Sequence, residues 1–242
     1  MTTQATRNDA TPTAATRTNN TQPTLVLAPG FMTDYDMWSD VVPYLKDYNI
    51  MYADFREGTT LQELAASNLR RCPERFTLIG FSLGGYIARH MVYQAPERVE
   101  ALVLVGTSTR PSAPAPSGGS AKLFRGMSHS ALVRAVHTSR GDDEALIARL
   151  KAMGERLGAE VFARLSALQR DSDLEAMKTI QCPVLVVTAD QDRLRTMEES
   201  SEMAQATGAK LVVLENSGHM MPMEEPEQFA RVVLEWLAAN KK

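Results

Sequence analysis

Short, strongly apolar runs alternate with stretches whose apolar residues recur at helical spacing, and this alternation fixes most of what the chain can become. Thr24-Leu25-Val26-Leu27-Ala28 stops at Pro29-Gly30 and reads as a buried strand. Asp36-Met37-Trp38 then opens a helical pattern through Val41, Val42 and Leu45, and Tyr48 to Ala53 gives a second strand. A helix between two strands is the βαβ signature. Apolar residues at helical spacing over Leu61 to Leu69 predict a helix ending near Cys72-Pro73, followed by a third strand at Phe76 to Ile79. Helix follows at Leu83 to Gln94, ending at Ala95-Pro96, then an almost wholly aliphatic strand at Val99 to Val105. The last part repeats the rhythm: strand at Pro183 to Thr188, helix at Met197 to Thr207, strand at Lys210 to Leu214, closing helix at Gln228 to Leu237. The expectation is a mostly parallel, doubly wound α/β sheet of about six strands, with its binding crevice beyond the carboxyl ends of the strands.

Two segments break the rhythm. Residues 1–22 are dominated by Thr, Asn, Gln and Ala, too poor in large apolar side chains to offset ordering entropy, and predict a disordered tail. From Thr107 to about Thr179 the alternation stops: a linker rich in Pro, Ser and Gly at Pro111 to Ser120 precedes helical patterns around Leu132 to Val136, Ala145 to Leu157 and Val161 to Leu168. The domain expectation is therefore a core of residues 23–106 and 180–242 carrying an all-helical insertion at 107–179.

Length and charge narrow the function. A chain of 242 residues can bury one substantial core. Its net charge of -3 offers no basic field for nucleic acid or anionic lipid. No apolar run approaches the ~20 residues needed to span a bilayer, and the first residues lack the apolar core of a secretory signal. A cytoplasmic location is the default expectation. Cys72 and Cys182 form neither a disulfide framework nor a metal pair; no Gly-rich stretch ends in Lys-Ser or Lys-Thr, and there is no HExxH. No cofactor or metal is expected.

The candidate chemistry centres on Gly80-x-Ser82-x-Gly84-Gly85, which lies between the third strand and the next helix. Such a turn pins the serine in a sparsely populated backbone conformation, while the flanking glycines let neighbouring chain approach without a Cβ clash. Ser82 is pushed into the open at a helix N-terminus that favours negative charge. A serine nucleophile needs a base and a carboxylate to orient it. Of four histidines, His90 lies in the helix after Ser82 and His129 and His137 in the insertion; only His219, just past Leu214, follows a strand at the catalytic edge. The loop after the fifth strand offers two acids, Asp190 and Asp192. Oxyanion donors are expected from the N-H of Leu83, immediately after the nucleophile, and from Phe31, because Pro29 has no N-H and Gly30 is flexible. Met220, Met221 and Met223 flank His219, where they could line an acyl pocket or fill core.

These motifs in this order resemble the α/β-hydrolase superfamily, in its small, esterase-like branch, over about Leu25 to Leu237. The resemblance implies an α/β-hydrolase fold with the insertion as its helical lid. It favours Asp192 over Asp190, because the family's acid stands fourth in a Gly-x-x-Asp turn and this chain has Ala189-x-x-Asp192. It implies a serine hydrolase of small-molecule carboxylic esters working through Ser82, Asp192 and His219. Carbon–carbon bond cleavage or a lyase step on a small carboxylate, with Arg125, Arg134 or Arg140 as cationic anchor, and a non-catalytic binding role are the alternatives. The chain departs from the family at Pro29-Gly30, where His-Gly is usual, at Ala189, and around Phe55 to Thr60, where a Gly-x-Gly-x-Ser loop is missing. It also lacks the family's first two strands.

Overall fold

A computed structural model describes residues 22–113 and 124–240, so the predicted tail, apart from Gln22, and most of the Pro111 to Ser120 linker lie outside the described residues. Six strands, β1 (Thr24–Ala28), β2 (Asn49–Tyr52), β3 (Phe76–Phe81), β4 (Val99–Val105), β5 (Val184–Ala189) and β6 (Lys210–Leu214), form one sheet in the order β2-β1-β3-β4-β5-β6. Every pairing is parallel. The chain steps outward from β1 to β2, then returns to the opposite side of β1 for β3 and proceeds the other way. That reversal opens a crevice between the carboxyl ends of β1 and β3, where neighbouring connections leave in different directions.

Both faces of the sheet are covered, which is why the strands are apolar on both sides. Val26, Leu78 and Leu104 pack with α1 (Leu61–Arg71), α2 (Leu83–Gln94) and α6 (Met197–Thr207). The alternate positions Leu27, Ile79 and Val105 face Trp38 and the Phe229 and Val233 side chains of the closing helix α8 (Pro226–Ala239).

One predicted helix is corrected. Asp36 to Leu45 forms no α-helix but two short 3-10 turns, Tyr35–Trp38 and Val42–Tyr44. Pro43 has no N-H for an i to i-4 bond and its ring clashes with the preceding turn, so the pattern breaks there even though Trp38 and Val41 reach the core. The other strands and helices of the core stand where expected to within about two residues at either end.

Between β4 and β5 lie α3 (His129–Ala135), α4 (Glu144–Ser166) and the short α5 (Leu174–Met177). The two helical patterns predicted around residues 145–168 run on as α4 through a kink at Gly158, whose φ of 77° only glycine adopts freely. Arg149 of α4 binds Asp36 and Asp40, and Arg156 forks onto Asp34, so α4 is tied to the segment that follows β1. The fully buried Arg89 of α2 clamps both ends of the insertion: its Nε donates to Asp173 at 2.6 Å and its Nη2 to the Ser108 carbonyl at 2.8 Å. Among the described residues no helix is long and apolar enough to cross a membrane.

Candidate active site

The turn from β3 into α2 is built for close approach. Ser82 has φ 50° and ψ -114°, a strained conformation for a residue with a side chain. Its amide donates to the Val105 carbonyl at 2.9 Å, and its own carbonyl accepts from Gly85 N and from Thr107 Oγ1 at 2.7 Å, so the strain is held by neighbours on both sides. Glycine is obligatory at Gly84, where a Cβ would stand 2.3 Å from the Ala28 carbonyl oxygen, and at Gly80, where it would stand 2.7 Å from that of Gly84.

His219 and Asp192, predicted from separate loops, meet. The His219 Nδ1 lies 2.7 Å from Asp192 Oδ2, and the two side chains are 5% and 1% exposed. The other carboxylate oxygen of Asp192 accepts from the amides of Leu194 and Arg195 at 2.7 and 2.9 Å, which fixes its orientation. Burial alone would raise the Asp192 carboxyl, but the charge and hydrogen bond of His219 and those two amides outweigh it and hold it below the ordinary carboxylate value. A carboxyl lowered on folding stabilises the fold above its unfolded pKa of ~3.9, and that contribution is lost as pH falls through the folded value. Thermal melts below about pH 4 are therefore expected to fall less steeply with acid for Asp192→Asn than for the wild type. Equal slopes would show that the pair contributes nothing to acid stability.

Asp190, the other candidate acid, does not meet the imidazole. Its carboxylate accepts from Asn216 N and Ser217 N at 3.1 and 3.2 Å, bracing the loop that carries His219. His90 packs against Tyr93, and His137 Nδ1 sits 2.7 Å from Ser139 Oγ; neither lines the cleft described below, nor does His129.

Several supporting residues escaped sequence reasoning. Gly106, at φ 50°, follows β4 and lies against the imidazole: a Cβ there would stand 3.3 Å from His219 Nδ1 and 3.0 Å from Met221 Cε. The Phe81 ring covers the imidazole with a centroid separation of 4.9 Å. Glu224, 2% exposed in the short helix α7 (Met221–Glu224), accepts from Gly218 N at 3.0 Å and His137 N at 2.5 Å, joining the loop that carries His219 to the insertion. Burial raises its carboxyl despite those two amides and Arg140. Gly218 itself has no room for a Cβ, which would stand 2.4 Å from His137 N. The one signal available in the sequence was Gly218 beside His219; an isolated Glu224 in a methionine-rich stretch carried none.

Phe31 follows β1 and lines the cleft described below, and Leu83 opens α2 directly after Ser82. Gly30 packs against Phe81 and Ser82, and its amide donates to Thr33 Oγ1 at 2.8 Å, turning the chain so that Phe31 follows directly above the sheet edge. The Phe31 ring meets Phe162 of α4 edge-on, and Phe162 in turn stacks on Phe124. The amide of Leu83, first residue of α2, has no intrahelical carbonyl to bond. Phe31, Ser82 and His219 open onto one cleft of about 240 Å³, walled mainly by apolar side chains including Met127, Leu132 and Met220. Among the described residues, no three His, Cys, Asp or Glu side chains gather in a way that could hold a metal ion.

Residues 25–232 match the sequence profile of the Alpha/beta hydrolase family. The chain belongs to the alpha/beta hydrolase family. Relatives of this hydrolase include the pimeloyl-[acyl-carrier protein] methyl ester esterase of Vibrio campbellii, 26% identical over 248 residues that cover 89% of this chain and 95% of the relative. The enzyme of the same name from Vibrio parahaemolyticus is 32% identical over a shorter stretch, 40% of this chain and 42% of the relative. Among solved structures, the enol-lactonase of Burkholderia xenovorans LB400 superposes with a TM-score of 0.77 at 23% identity, covering 90% of this chain and 92% of that one, a likeness of fold. Residues 1–21, the stretch ahead of β1, lie outside the described residues; among the described residues the sheet ends at β2.

Proposed function

We propose that this alpha/beta hydrolase is a serine esterase cleaving small-molecule carboxylic esters through an acyl-enzyme. The observation that carries the reading is the arrival on one apolar cleft of a strained Ser82 and a buried His219 whose far nitrogen is held 2.7 Å from Asp192. Ser82 attacks the ester carbonyl carbon while His219 takes the hydroxyl proton, and Asp192 keeps the imidazole in the tautomer that leaves Nε2 free to accept. The amides of Phe31 and Leu83 receive the charge that develops on the carbonyl oxygen. Collapse of the tetrahedral intermediate expels the alcohol, protonated by His219. Water activated by the same base then attacks the acyl-enzyme and releases the acid, regenerating Ser82. The α3–α5 segment acts as the lid of this cleft, excluding water from the acyl-enzyme except for the attacking molecule. The methyl ester esterases among the relatives support the choice of ester over other acyl substrates.

Labelling tests the nucleophile directly. A fluorophosphonate probe is expected to modify the wild-type chain at one site, mapped to Ser82 by peptide mass, and to leave Ser82→Ala and His219→Ala unlabelled. Failure to label the wild type under conditions where a known serine esterase reacts would leave a binding protein with the fold of an enzyme.

A further inference from the structure

The walls of the cleft carry one formal charge that catalysis does not use. Arg134 projects from α3 onto the cleft, one helical turn on from Ala131 and beside Ala135, and no Asp, Glu or Lys lines the same space. Its guanidinium is exposed and, among the described residues, has no hydrogen-bond or ion-pair partner. The neighbouring cations differ. Arg140 donates to the Glu224 carbonyl at 2.8 Å and to Glu225, Arg193 donates to the Val133 and Val136 carbonyls, and Arg149 and Arg156 are held by aspartates. Arg125 lies off the cleft lining. An arginine at the last turn of a helix is ordinarily explained by the helix dipole, but that account needs only the charge and not its place in an apolar cleft.

The segment that carries Arg134 is tied to the loop that carries His219. Met220 N, next to the base, donates to the Ala135 carbonyl at 3.1 Å, and Gly218 is packed on the Val136–His137 backbone with no room for a Cβ. The end of α3 and the loop that carries His219 are therefore joined backbone to backbone, which keeps the Arg134 backbone beside that loop. A planar donor fork with nothing to bind, placed across apolar walls from a nucleophile, matches an ester that carries an anion beyond an apolar spacer.

We propose that Arg134 anchors such an anion, a carboxylate or phosphate at the far end of the acyl chain, so that this protein prefers anionic over neutral esters. The assignment rests on the esterase reading above and adds the class of substrate. It is tested with methyl hexanoate, monomethyl adipate and the ω-phosphate ester of equal length, comparing kcat/KM within each variant. The wild type is expected to favour the charged esters about five- to tenfold, a preference that weakens as ionic strength rises. Arg134→Glu should reverse the ratio, Arg134→Lys should keep part of it, and Arg125→Glu should leave it as in wild type. The larger of the two charged-ester preferences identifies carboxylate or phosphate as the natural group. Equal ratios in wild type and Arg134→Glu, with methyl hexanoate turned over, would overturn the anchor alone. No turnover of any ester by the wild type would overturn the esterase reading and the anchor with it.

Discussion

Ser82→Ala is expected to lower kcat for ester hydrolysis on the order of 10³- to 10⁶-fold while KM changes little. The size follows from the division of labour proposed for the site. In the proposed mechanism, removing Oγ abolishes the acyl-enzyme route outright but leaves the Leu83 and Phe31 amides, the His219–Asp192 pair and the apolar walls, so water activated by His219 could still attack slowly. Alanine keeps the Cβ that Ser82 already places at φ 50°, so the backbone strain is unchanged and the variant should melt near the wild-type temperature. The comparison requires both proteins on one substrate, with the melt as control. Turnover close to wild type in a folded Ser82→Ala protein would remove the serine from the mechanism.

Gly84→Ala is expected to act in the opposite manner, on stability first and on activity as a consequence. Its Cβ would stand 2.3 and 2.4 Å from the carbonyl oxygens of Ala28 and Pro29, backbone atoms at the end of a central strand that cannot swing aside as a side chain would. Relief requires α2 to back away from β1, and that movement opens the packing of Val26 and Leu78 against α1 and α2. A cost of about 3 kcal/mol or more is expected, a fall in melting temperature of roughly 6–12 °C for a chain of this length. The displaced helix would also carry the Leu83 amide away from the cleft. Gly158→Ala provides the contrast: nothing lies within 4 Å of its added Cβ, and only the φ of 77° resists the side chain. A Gly84→Ala protein as stable as wild type would mean that α2 can withdraw from β1 at no cost to the core.

How far the sequence reached is clearest in the places where it stopped. Strands such as Val99–Val105 were legible because a strand buried on both faces is almost wholly apolar, here from Ala101 onward past the exposed Glu100, and α2 because Ala95-Pro96 ends it. The stretch Asp36 to Leu45 misled because its apolar spacing reports which side chains reach the core, and two 3-10 turns can present Trp38 and Val41 to that core as well as a helix can. Glu224 was invisible because its role is to accept from amides of residues 137 and 218, partners that share no pattern with it.

The order of motifs along the chain determined the class of fold, the serine at the strand-to-helix corner and the histidine after the last strand, because each of these depends on local periodicity and turn chemistry. Periodicity left Asp190 and Asp192 open and only the family resemblance pointed to Asp192; the tertiary structure shows that it is Asp192 that meets His219, and it alone decided that Gly106 and Phe81 pack against the imidazole and that Arg134 rather than Arg140 or Arg125 looks onto the cleft without a partner. To periodicity and turn chemistry two carboxylates two residues apart look alike; their contacts differ because one loop folds over another and each finds different hydrogen-bond partners within reach.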